Sequence, residues 1–344
     1  MTKRILIFGG TGSLGKKLIE RFLPKGYVSV YSRDEAKHWT IKNEFSEHKD
    51  SEKLDFYVGD IRDKGRVADV IRQVKPHTII IAAALKQVVT CELSPSESVL
   101  TNILGTQNVI SVVNELDQKQ LKKVLFVSTD KACSPVNVYG MCKSISERIV
   151  SSQSLTGLKH VNFLVVRYGN VLESRGSIIP LFKYQSENLE HITVTDPEMT
   201  RFVMTLDDSV DLIEHALDVG QSGQTWIPKL KAMRIGDVAE IFSEVSGKPT
   251  KIIGYRPGEK QHEDLLNESE SYRTVRYGNH YAIAPAFMCG SGTADDAFSY
   301  SSSQDVMTKK ELQEHLTKLG IIDRPSSEYK GLSIEEIHTK GNRK

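Results

Sequence analysis

The sequence predicts an α/β fold built on a doubly wound parallel sheet. Strand-like and helix-like segments alternate up to about residue 170, a pattern typical of a parallel sheet with helices on both faces. The first apolar segment, Arg4–Phe8, leads into a glycine-rich turn and then into a helical stretch, Lys16–Leu23. Beyond the alternating region the elements become shorter, and no clean linker separates them. We therefore expect a Rossmann-type sheet with a smaller C-terminal lobe that binds the substrate.

The turn after the first strand has the spacing of a dinucleotide-phosphate site. Its glycines, Gly9, Gly12 and Gly15, allow a tight turn, a close approach of the backbone to a pyrophosphate, and close packing of helix on strand. The phosphate then lies at the helix N-terminus, where N–H groups and the helix dipole favour negative charge. The residues expected to contact the cofactor here are Gly9, Thr11, Gly12, Ser13, Leu14 and Gly15.

The end of the second strand indicates which dinucleotide binds. The segment Tyr27–Tyr31 is followed by Ser32, Arg33 and Asp34. An NAD site would place a carboxylate at the strand end to accept a hydrogen bond from the ribose 2′-hydroxyl. Because Ser32 and Arg33 come first and suit a 2′-phosphate, the sequence favours NADP, although Asp34 keeps NAD open.

The segment from Ser128 to Lys143 points to chemistry on a hydroxyl group. Tyr139 and Lys143 are four residues apart and share one face of a predicted helix, so the ammonium is expected to lower the pKa of the phenol. Such a tyrosine can take a proton from a sugar hydroxyl. Asp130 and Lys131 follow the apolar strand Val124–Val127, at the sheet edge where ligands of such folds bind. The structural alternative is a tyrosine packed under a surface lysine, with Asp130 capping the helix.

Composition sets limits on the partners. The formal net charge of +1 gives no drive toward nucleic acid or a membrane surface. No segment is long and apolar enough to span a bilayer, and the start lacks a signal-peptide pattern. The histidines and the four cysteines, Cys91, Cys133, Cys142 and Cys289, show no metal-ligand spacing. We expect a cytoplasmic protein, in a reducing compartment, with no metal site.

Several motifs together carry a family resemblance. They are Gly9–Gly15, Tyr31–Glu35, Ala82–Val88, Thr101–Gly105, Ser128–Ala132, Asn137–Gly140, Arg167–Val171, Ser174–Pro180, Met199–Phe202, Pro228–Arg234, Arg256–Lys260 and Tyr300–Ser302. The chain resembles the extended short-chain dehydrogenases/reductases, and within them the inverting UDP-N-acetylglucosamine 4,6-dehydratases of pseudaminic acid biosynthesis. A Ser-Thr-Asp-Lys strand end with a tyrosine eight residues after the lysine is specific to this group. Related sugar-nucleotide 4-epimerases and dTDP-glucose dehydratases place their tyrosine further on.

The resemblance implies a division of the chain and further binding residues. Residues 1–170 would form the NADP-binding domain, with late strands added from beyond 170. Residues 171–320 would form most of an interleaved nucleotide-sugar-binding lobe, and residues 321–344 a polar tail. Further cofactor-binding residues would be Ser32, Arg33, Asp34, Lys37, Asp60, Ile61, Ala82, Thr101, Asn102, Tyr139, Lys143 and Val171. UDP-sugar contacts would come from Lys86, Thr129, Asn170, Ile179, Thr195, Arg201, Arg256 and Glu259, with both arginines on the diphosphate.

The resemblance also implies an activity. UDP-N-acetylglucosamine would be oxidised at C4, would lose water across C5 and C6, and would regain hydride at C6. The C5 centre would invert, giving UDP-2-acetamido-2,6-dideoxy-β-L-arabino-hexos-4-ulose. Tyr139 with Lys143 would act on the C4 hydroxyl, Lys131 would be the base at C5, and Asp130 the acid at C6. The split of roles between Asp130 and Lys131 stays open.

Two alternatives and two departures accompany this interpretation. A sister group of dehydratases that also epimerise C5 often has Met in place of the tyrosine, so Tyr139 argues against it. A non-catalytic dinucleotide sensor would typically lose Tyr139 or Lys143, and both are present. Glu173 stands where relatives have a small residue, and Ala284–Ala297 does not align. A homo-oligomer is expected, because members of the superfamily usually pair through helices that include the one bearing Tyr139.

Overall fold

The structure is a computed structural model that describes residues 3–172, 174, 177–288 and 297–325. Glu173, Cys289, much of the Ala284–Ala297 stretch and the predicted tail beyond residue 325 lie outside the described residues. The chain forms two compact units, and each is built from three segments. The first unit contains the chain up to Tyr168 together with Asp207–Lys229 and Leu265–Ser299; the second contains Gly169–Leu206, Leu230–Asp264 and the segment from Tyr300.

The first unit is built on one sheet, which has nine strands in the described residues. In spatial order these are β14 (Thr274–Tyr277), β15 (His280–Ile283), β10 (Thr225–Pro228), β6 (Asn162–Val166), β5 (Lys123–Val127), β4 (Thr78–Ile81), β1 (Lys3–Phe8), β2 (Gly26–Ser32) and β3 (Leu54–Val58). The strands from β10 to β3 are parallel, whereas β14 and β15 form an antiparallel hairpin at one edge. This order confirms the predicted doubly wound sheet.

Helices connect these strands. They are α1 (Ser13–Phe22), α2 (Glu35–Glu44), α3 (Lys64–Val74), α4 (Val88–Leu93), α5 (Pro95–Ser98), α6 (Gly105–Leu116), α7 (Val138–Ser151), α8 (Gln153–Thr156), α10 (Leu206–Val219) and α12 (Glu268–Ser271). A π-helical segment, Val99–Leu104, leads into α6, and short 3₁₀ turns lie at Leu23–Lys25, Ser51–Lys53 and Asp130–Ala132.

The sequence explains both the strands and the helix starts. The central parallel strands β1, β4, β5 and β6 are buried on both faces, so they read as near-continuous Ile, Val, Leu and Phe runs whose side chains fill the core, whereas the edge strand β3 exposes Asp55 and Val58. Asp34, Asp63 and Asn137 cap α2, α3 and α7, because each side chain accepts a hydrogen bond from a backbone N–H three residues later. Helix α1 begins at Ser13, earlier than the predicted Lys16, with Gly12 as its N-cap.

The second unit has smaller sheets around its own core. A three-stranded sheet contains β7 (Asn170–Val171), β9 (Thr200–Met204) and β11 (Ala232–Arg234), and a two-stranded sheet contains β8 (Ile192–Val194) and β12 (Thr250–Ile252). The remaining elements of this unit are α9 (Ile178–Asn188), α11 (Ile235–Ser246), β16 (Tyr300–Ser301) and α13 (Lys309–Lys318). Strand β13 (Asp264–Leu266) starts with Asp264 of this unit, and its other two residues belong to the first unit. The core of this unit contains Phe182, Met233, Phe242 and Leu312.

The segment predicted as a polar tail starts inside this core. Ile321 and Ile322 are buried among the side chains of the second unit. The buried Lys183 on α9 donates a hydrogen bond to the carbonyl oxygen of Ile322. The predicted start of the tail at residue 321 is therefore wrong. Ile321 and Ile322 belong to the core, and the hydrogen bond from Lys183 holds the backbone at Ile322.

Candidate active site

The phosphate turn has the shape that a dinucleotide requires. Gly9 has φ +84°, and a Cβ at this position would lie 2.6 Å from the Ala83 backbone, so a side chain cannot be placed there. Helix α1 then starts with Gly12 as an N-cap that has no side chain to bond the first N–H groups. Ser13, Leu14 and Gly15 form its first turn. This N-terminus fits a pyrophosphate.

At the end of β2, the acidic residue is used within the protein. Asp34 Oδ1 accepts from Lys37 N at 3.1 Å, and Asp34 Oδ2 pairs with Lys37 Nζ at 2.8 Å. The pKa of Asp34 is lowered by these Lys37 bonds. Arg33 extends its side chain toward solvent, 57% exposed, with Nη1 3.9 Å from Asp60 Oδ2. The cap therefore engages the Asp34 carboxylate, and the Arg33 side chain is the more exposed of the two.

His38 belongs to this site and was missed from the sequence. Its Nε2 lies 2.7 Å from the Ser32 hydroxyl, which also accepts a hydrogen bond from Thr11 Oγ1 at 3.2 Å. His38 is buried beside the Phe56 ring, and burial lowers its pKa. The available signal in the sequence was the spacing of four residues between Asp34 and His38. On helix α2 this spacing places the His38 side chain on the same face as the start of the helix.

The other predicted cofactor contacts lie in the loops after β3 and β4 and in the π-helical segment Val99–Leu104. The Asp60 carboxylate accepts from Arg62 N and the Arg62 guanidinium at 2.7–2.9 Å, and Ile61 is buried in the core. Asn102 uses its amide to bond both backbone groups of Leu85, at 2.8 and 2.9 Å, so it positions the chain that follows Ala82.

Thr101 lies beside Asn102 in the π-helical segment, a kind of element often found at functional sites. Its Oγ1 is buried and has no hydrogen-bond partner among the described residues. A buried hydroxyl without a partner costs free energy unless a ligand satisfies it. Together with the phosphate turn, this orphaned atom shows that the residues present fit a bound dinucleotide.

The acid and amine predicted at the end of β5 lie in direct contact. Asp130 is 1% exposed, and its Oδ1 lies 3.2 Å from Lys131 Nζ, whose side chain is 19% exposed. The Thr129 hydroxyl donates to the same Asp130 Oδ1 at 2.9 Å. Asp130 begins a 3₁₀ turn and does not cap α7, because Asn137 occupies that position. The structural alternative for Asp130 is therefore excluded.

Helix α7 brings Tyr139 to this pair. A Cβ on Gly140 would lie 2.2 Å from the Lys131 carbonyl oxygen, so glycine lets the helix start approach the Asp130–Lys131 turn closely. Tyr139 is buried, and burial raises its pKa; the charge of Lys131 lowers it, that of Asp130 raises it, and a Thr129 hydrogen bond lowers it. The predicted lowering of this pKa is wrong for the protein groups by themselves. Desolvation of the phenol outweighs the nearby cation.

Lys143 is buried one turn further along the helix. Its Nζ donates to the Val127 carbonyl oxygen and lies 3.9 Å from the centre of the Phe126 ring. Burial lowers its pKa to about 7, and the charges of Glu147 and Cys142 raise it. Among the protein's own charges, that of Lys131 lowers the pKa of Tyr139, and Lys143, one helical turn away, bonds the end of β5.

The remaining predicted substrate residues divide between the two units. Lys86 is exposed in the loop after β4, in the first unit. Five predicted substrate residues lie in the second unit: Asn170, Ile179, Thr195, Arg256 and Glu259. Val171, which was predicted to bind the cofactor, also lies in the second unit. Asn170 Oδ1 is buried without a partner among the described residues, whereas Ile179 lies in the hydrophobic core. Arg256 and Glu259 approach each other at 4.0 Å.

Arg201, also in the second unit, forms most of its hydrogen bonds with backbone carbonyl oxygens of the same unit. Its Nη1 donates to the carbonyl oxygens of Thr200 and Gln261 at 2.7 and 3.0 Å. Its Nη2 donates to the Lys260 carbonyl oxygen at 2.9 Å and lies 3.5 Å from Met199 Sδ. The guanidinium thus holds the end of the loop that carries Arg256 and Glu259.

A buried ion cluster in the first unit was also missed. Arg167 follows β6 and forms bidentate contacts with Glu147 on α7 and with Glu270 on α12, at 2.6–3.0 Å. The charge of Arg167 holds the pKa of Glu270 down at about 2, against the effect of burial. The sequence signals were a charged residue directly after a buried strand and a glutamate four residues after Lys143.

Within the ranges described, no group of His, Cys, Asp and Glu side chains could hold a metal ion. No helix in the same ranges combines the length and the apolar character needed to cross a bilayer.

Comparisons with known proteins give one family and several relatives. A family model described as polysaccharide biosynthesis protein matches residues 5–285. The chain is 38% identical over 334 residues to the UDP-N-acetylglucosamine 4,6-dehydratase (inverting) of Campylobacter jejuni, covering 91% of this chain and 96% of the relative. It is 37% identical over 290 residues to the UDP-glucose 4-epimerase of Rickettsia bellii, covering 82% of each. Among solved structures, it resembles Pen from Bacillus thuringiensis at 34% identity and a TM-score of 0.84, over 93% of this chain and 98% of that one.

Proposed function

Because the chain belongs to the polysaccharide biosynthesis protein family, we propose that it is a UDP-N-acetylglucosamine 4,6-dehydratase that inverts C5. The observation that carries this proposal is the contact of an acid and an amine, Asp130 and Lys131, beside the buried phenol of Tyr139. Removing water from a sugar requires a base at C5 and an acid at C6 in addition to the group that acts at C4. The end of β5 and the start of α7 supply all three.

The chain's own residues would hold the cofactor and move the protons. The phosphate turn and Arg33 would bind the dinucleotide, and Thr101 Oγ1 would bond it from the π-helical segment. A bound nicotinamide supplies a hydride acceptor for C4 and a hydride donor for C6. The Tyr139 phenolate, which the positive charges of Lys143 and of a bound oxidised nicotinamide would favour, would accept the proton of the C4 hydroxyl at Oη. The C4 ketone would then make the C5 proton acidic enough for Lys131 Nζ to remove. Asp130 would give its proton to the departing C6 oxygen, which leaves as water. After the hydride returns to C6, a proton that exchanges with solvent would reach C5 from the face opposite Lys131, and Tyr139 would release its proton to solvent.

The Asp130–Lys131 contact explains how both residues reach the required forms. An ion pair of carboxylate and ammonium holds the same number of protons as a neutral acid and a neutral amine. One proton transfer across the 3.2 Å contact converts the first pair into the second. Because burial penalises charged forms, closing the site around a substrate favours the neutral pair. In that form Asp130 is an acid and Lys131 is a base.

A product assay tests the proposed function. The protein with UDP-N-acetylglucosamine and no added reductant should give a UDP-sugar lighter by one water, with a 4-keto, 6-deoxy group. The L-arabino configuration at C5 would distinguish inversion from retention, and further C5 epimerisation would indicate the sister group. A product of unchanged mass with inverted C4 would instead support a 4-epimerase, the activity named for the Rickettsia bellii relative.

We also propose NADP as the cofactor, since the cap on α2 engages Asp34 and Arg33 is exposed at the β2 end. Arg33→Ala should weaken NADP binding about 10- to 100-fold, the loss expected for a charge-assisted hydrogen bond, and should change NAD binding far less. Calorimetric titration of both dinucleotides measures this. Arg72→Ala, which removes an exposed arginine of α3 paired with Asp69, is the matched control. Equal losses for both dinucleotides would contradict a 2′-phosphate contact by Arg33.

The homo-oligomer remains a proposal, supported by an exposed apolar face in the first unit. Met141 and Ile145 on α7 are about half exposed, and Leu100 and Leu104 of the π-helical segment are also exposed. Val150, on the same helix, is instead fully buried in the core. Ile145→Asp should lower the mass measured by light scattering, whereas Val245→Asp, at an exposed position on α11, should not. A monomeric mass for the unchanged protein would overturn the proposal.

A further inference from the structure

Arg167 has a complete set of partners in the interior of the first unit. Its Nε and Nη2 donate to the two Glu147 carboxylate oxygens at 3.0 and 2.6 Å. Its Nη1 and Nη2 donate to the two Glu270 oxygens at 2.8 and 3.0 Å, and Nη1 also donates to the Leu265 carbonyl oxygen at 2.9 Å. All five N–H groups of the guanidinium are used, so Glu147 is held in one orientation.

Glu147 lies on the same face of α7 as the catalytic tyrosine. Tyr139, Lys143 and Glu147 follow one another at intervals of four residues, and all three are buried. From β5, Lys143 faces the Val127 carbonyl oxygen and the Phe126 ring. From α7 it faces the charge of Glu147 and the Cys142 thiol, and Arg167 acts from the end of β6 through Glu147.

These contacts have opposing effects on the stability of the charged form of Lys143. An ammonium moved from water into this interior loses its hydration, and the carbonyl and ring restore only part of it. A carboxylate one helical turn away favours the charged form. Without Arg167, that carboxylate would itself be buried and unpaired, and it would take up a proton.

We propose that Glu147, held by Arg167, is a positioning residue that keeps Lys143 charged and fixed at the end of β5 beside Tyr139. The inference rests on the proposed function, in which Lys143 supports the tyrosine. Glu147 touches neither the substrate nor the cofactor in this role and acts through Lys143. Its removal should therefore alter how activity depends on pH, whereas loss of packing alone would lower activity equally at every pH.

The test compares two variants that each remove one carboxylate from the same arginine. Burial places the pKa of Lys143 near 7, so a further fall of about one unit in Glu147→Gln lowers the charged fraction about tenfold at pH 8 and about twofold at pH 6. The alkaline limb of kcat/KM for UDP-N-acetylglucosamine should move to lower pH by that amount. Glu270→Gln should leave this limb in place, since Glu270 acts on Arg167 and not on Lys143.

A conservative variant and a direct titration of Lys143 provide two further tests of the role of Glu147. Glu147→Asp retains the charge and should restore the alkaline limb at least in part. Lysines labelled with ¹³C at Cε report the Lys143 ionisation by NMR without any turnover, with Lys143→Met used to assign its signal. An unchanged Lys143 midpoint in Glu147→Gln, or an equal shift in Glu270→Gln, would overturn the inference. If the unchanged protein fails to dehydrate the substrate, the proposed function fails, while the NMR midpoint still decides this inference.

Discussion

Lys131→Ala is expected to lower the rate of UDP-N-acetylglucosamine dehydration by about 10²- to 10⁴-fold, the contribution typical of a general base. The substitution removes the amine that lies 3.2 Å from Asp130 and leaves that buried carboxylate without its ammonium. Asp130 then has no partner from which to take the proton that the C6 oxygen needs. Mass spectrometry of the UDP-sugar over time measures the rate. Calorimetry with NADP should show that the cofactor still binds.

Lys131→Arg separates the base from the positive charge. Arginine keeps a cation beside Asp130 but cannot be deprotonated in a protein, so it should be as inactive as the alanine variant. If Lys131→Arg retains near-normal turnover, Lys131 acts only by its charge, and another group must remove the C5 proton. Near-normal turnover in both variants would exclude Lys131 from the reaction.

Arg167→Met is expected to lower the free energy of unfolding by about 3–5 kcal/mol, because it removes the guanidinium that two buried carboxylates share, although Arg273 Nη2 still lies 3.6 Å from Glu270 Oε1. Glu147 and Glu270 are both buried, and each has a bidentate contact with the guanidinium. Denaturant unfolding at neutral pH measures the loss. Adding Glu147→Gln and Glu270→Gln to Arg167→Met should recover much of it, since the unpaired charges are then removed. A loss below about 1 kcal/mol would show that water or another group already satisfies these carboxylates.

The same cluster predicts a pH dependence. The pKa of Glu270 is about 2 in the folded protein, below its ordinary value of 4.5. A group whose pKa is depressed by folding stabilises the protein above the unfolded value, and this stabilisation is lost as the pH falls toward the folded value. Glu270 should therefore contribute fully above about pH 5 and progressively less down to about pH 2. Arg167→Met should weaken this dependence, because the largest effect that lowers the Glu270 pKa is then absent while burial still raises it.

The fold could be predicted because its signals are local. Segments such as Val124–Val127 and Asn162–Val166 are apolar runs bounded by polar residues, and each became a buried parallel strand. The phosphate turn was also evident from a short stretch of sequence. Ile321 and Ile322 were misjudged because only tertiary packing shows that the second core reaches them.

The candidate site was predictable in its residues but not in its interactions. The strand end and the four-residue spacing placed Asp130, Lys131 and Tyr139 near one another. The direction of the Tyr139 pKa depends on how deeply the phenol is buried, which no local pattern states. Glu270 lies 103 residues beyond Arg167, so their contact exists only in the folded chain. Arg33, Asp34 and His38 lie within six residues of the sequence, yet only the structure shows that Asp34 caps α2.

The order in which the first unit acquires its strands has a consequence for protein synthesis. A ribosome releases β1 to β6, with Tyr139 and Lys143, well before it has made β10, β15 and Glu270. At that stage the nascent chain has an open edge along β6, and Arg167 has only one of its two carboxylates. Open strand edges invite pairing with other chains, so this interval is when aggregation is most favoured. A gene fragment that stops before Ile283 therefore encodes the proposed catalytic residues without the complete sheet that holds them.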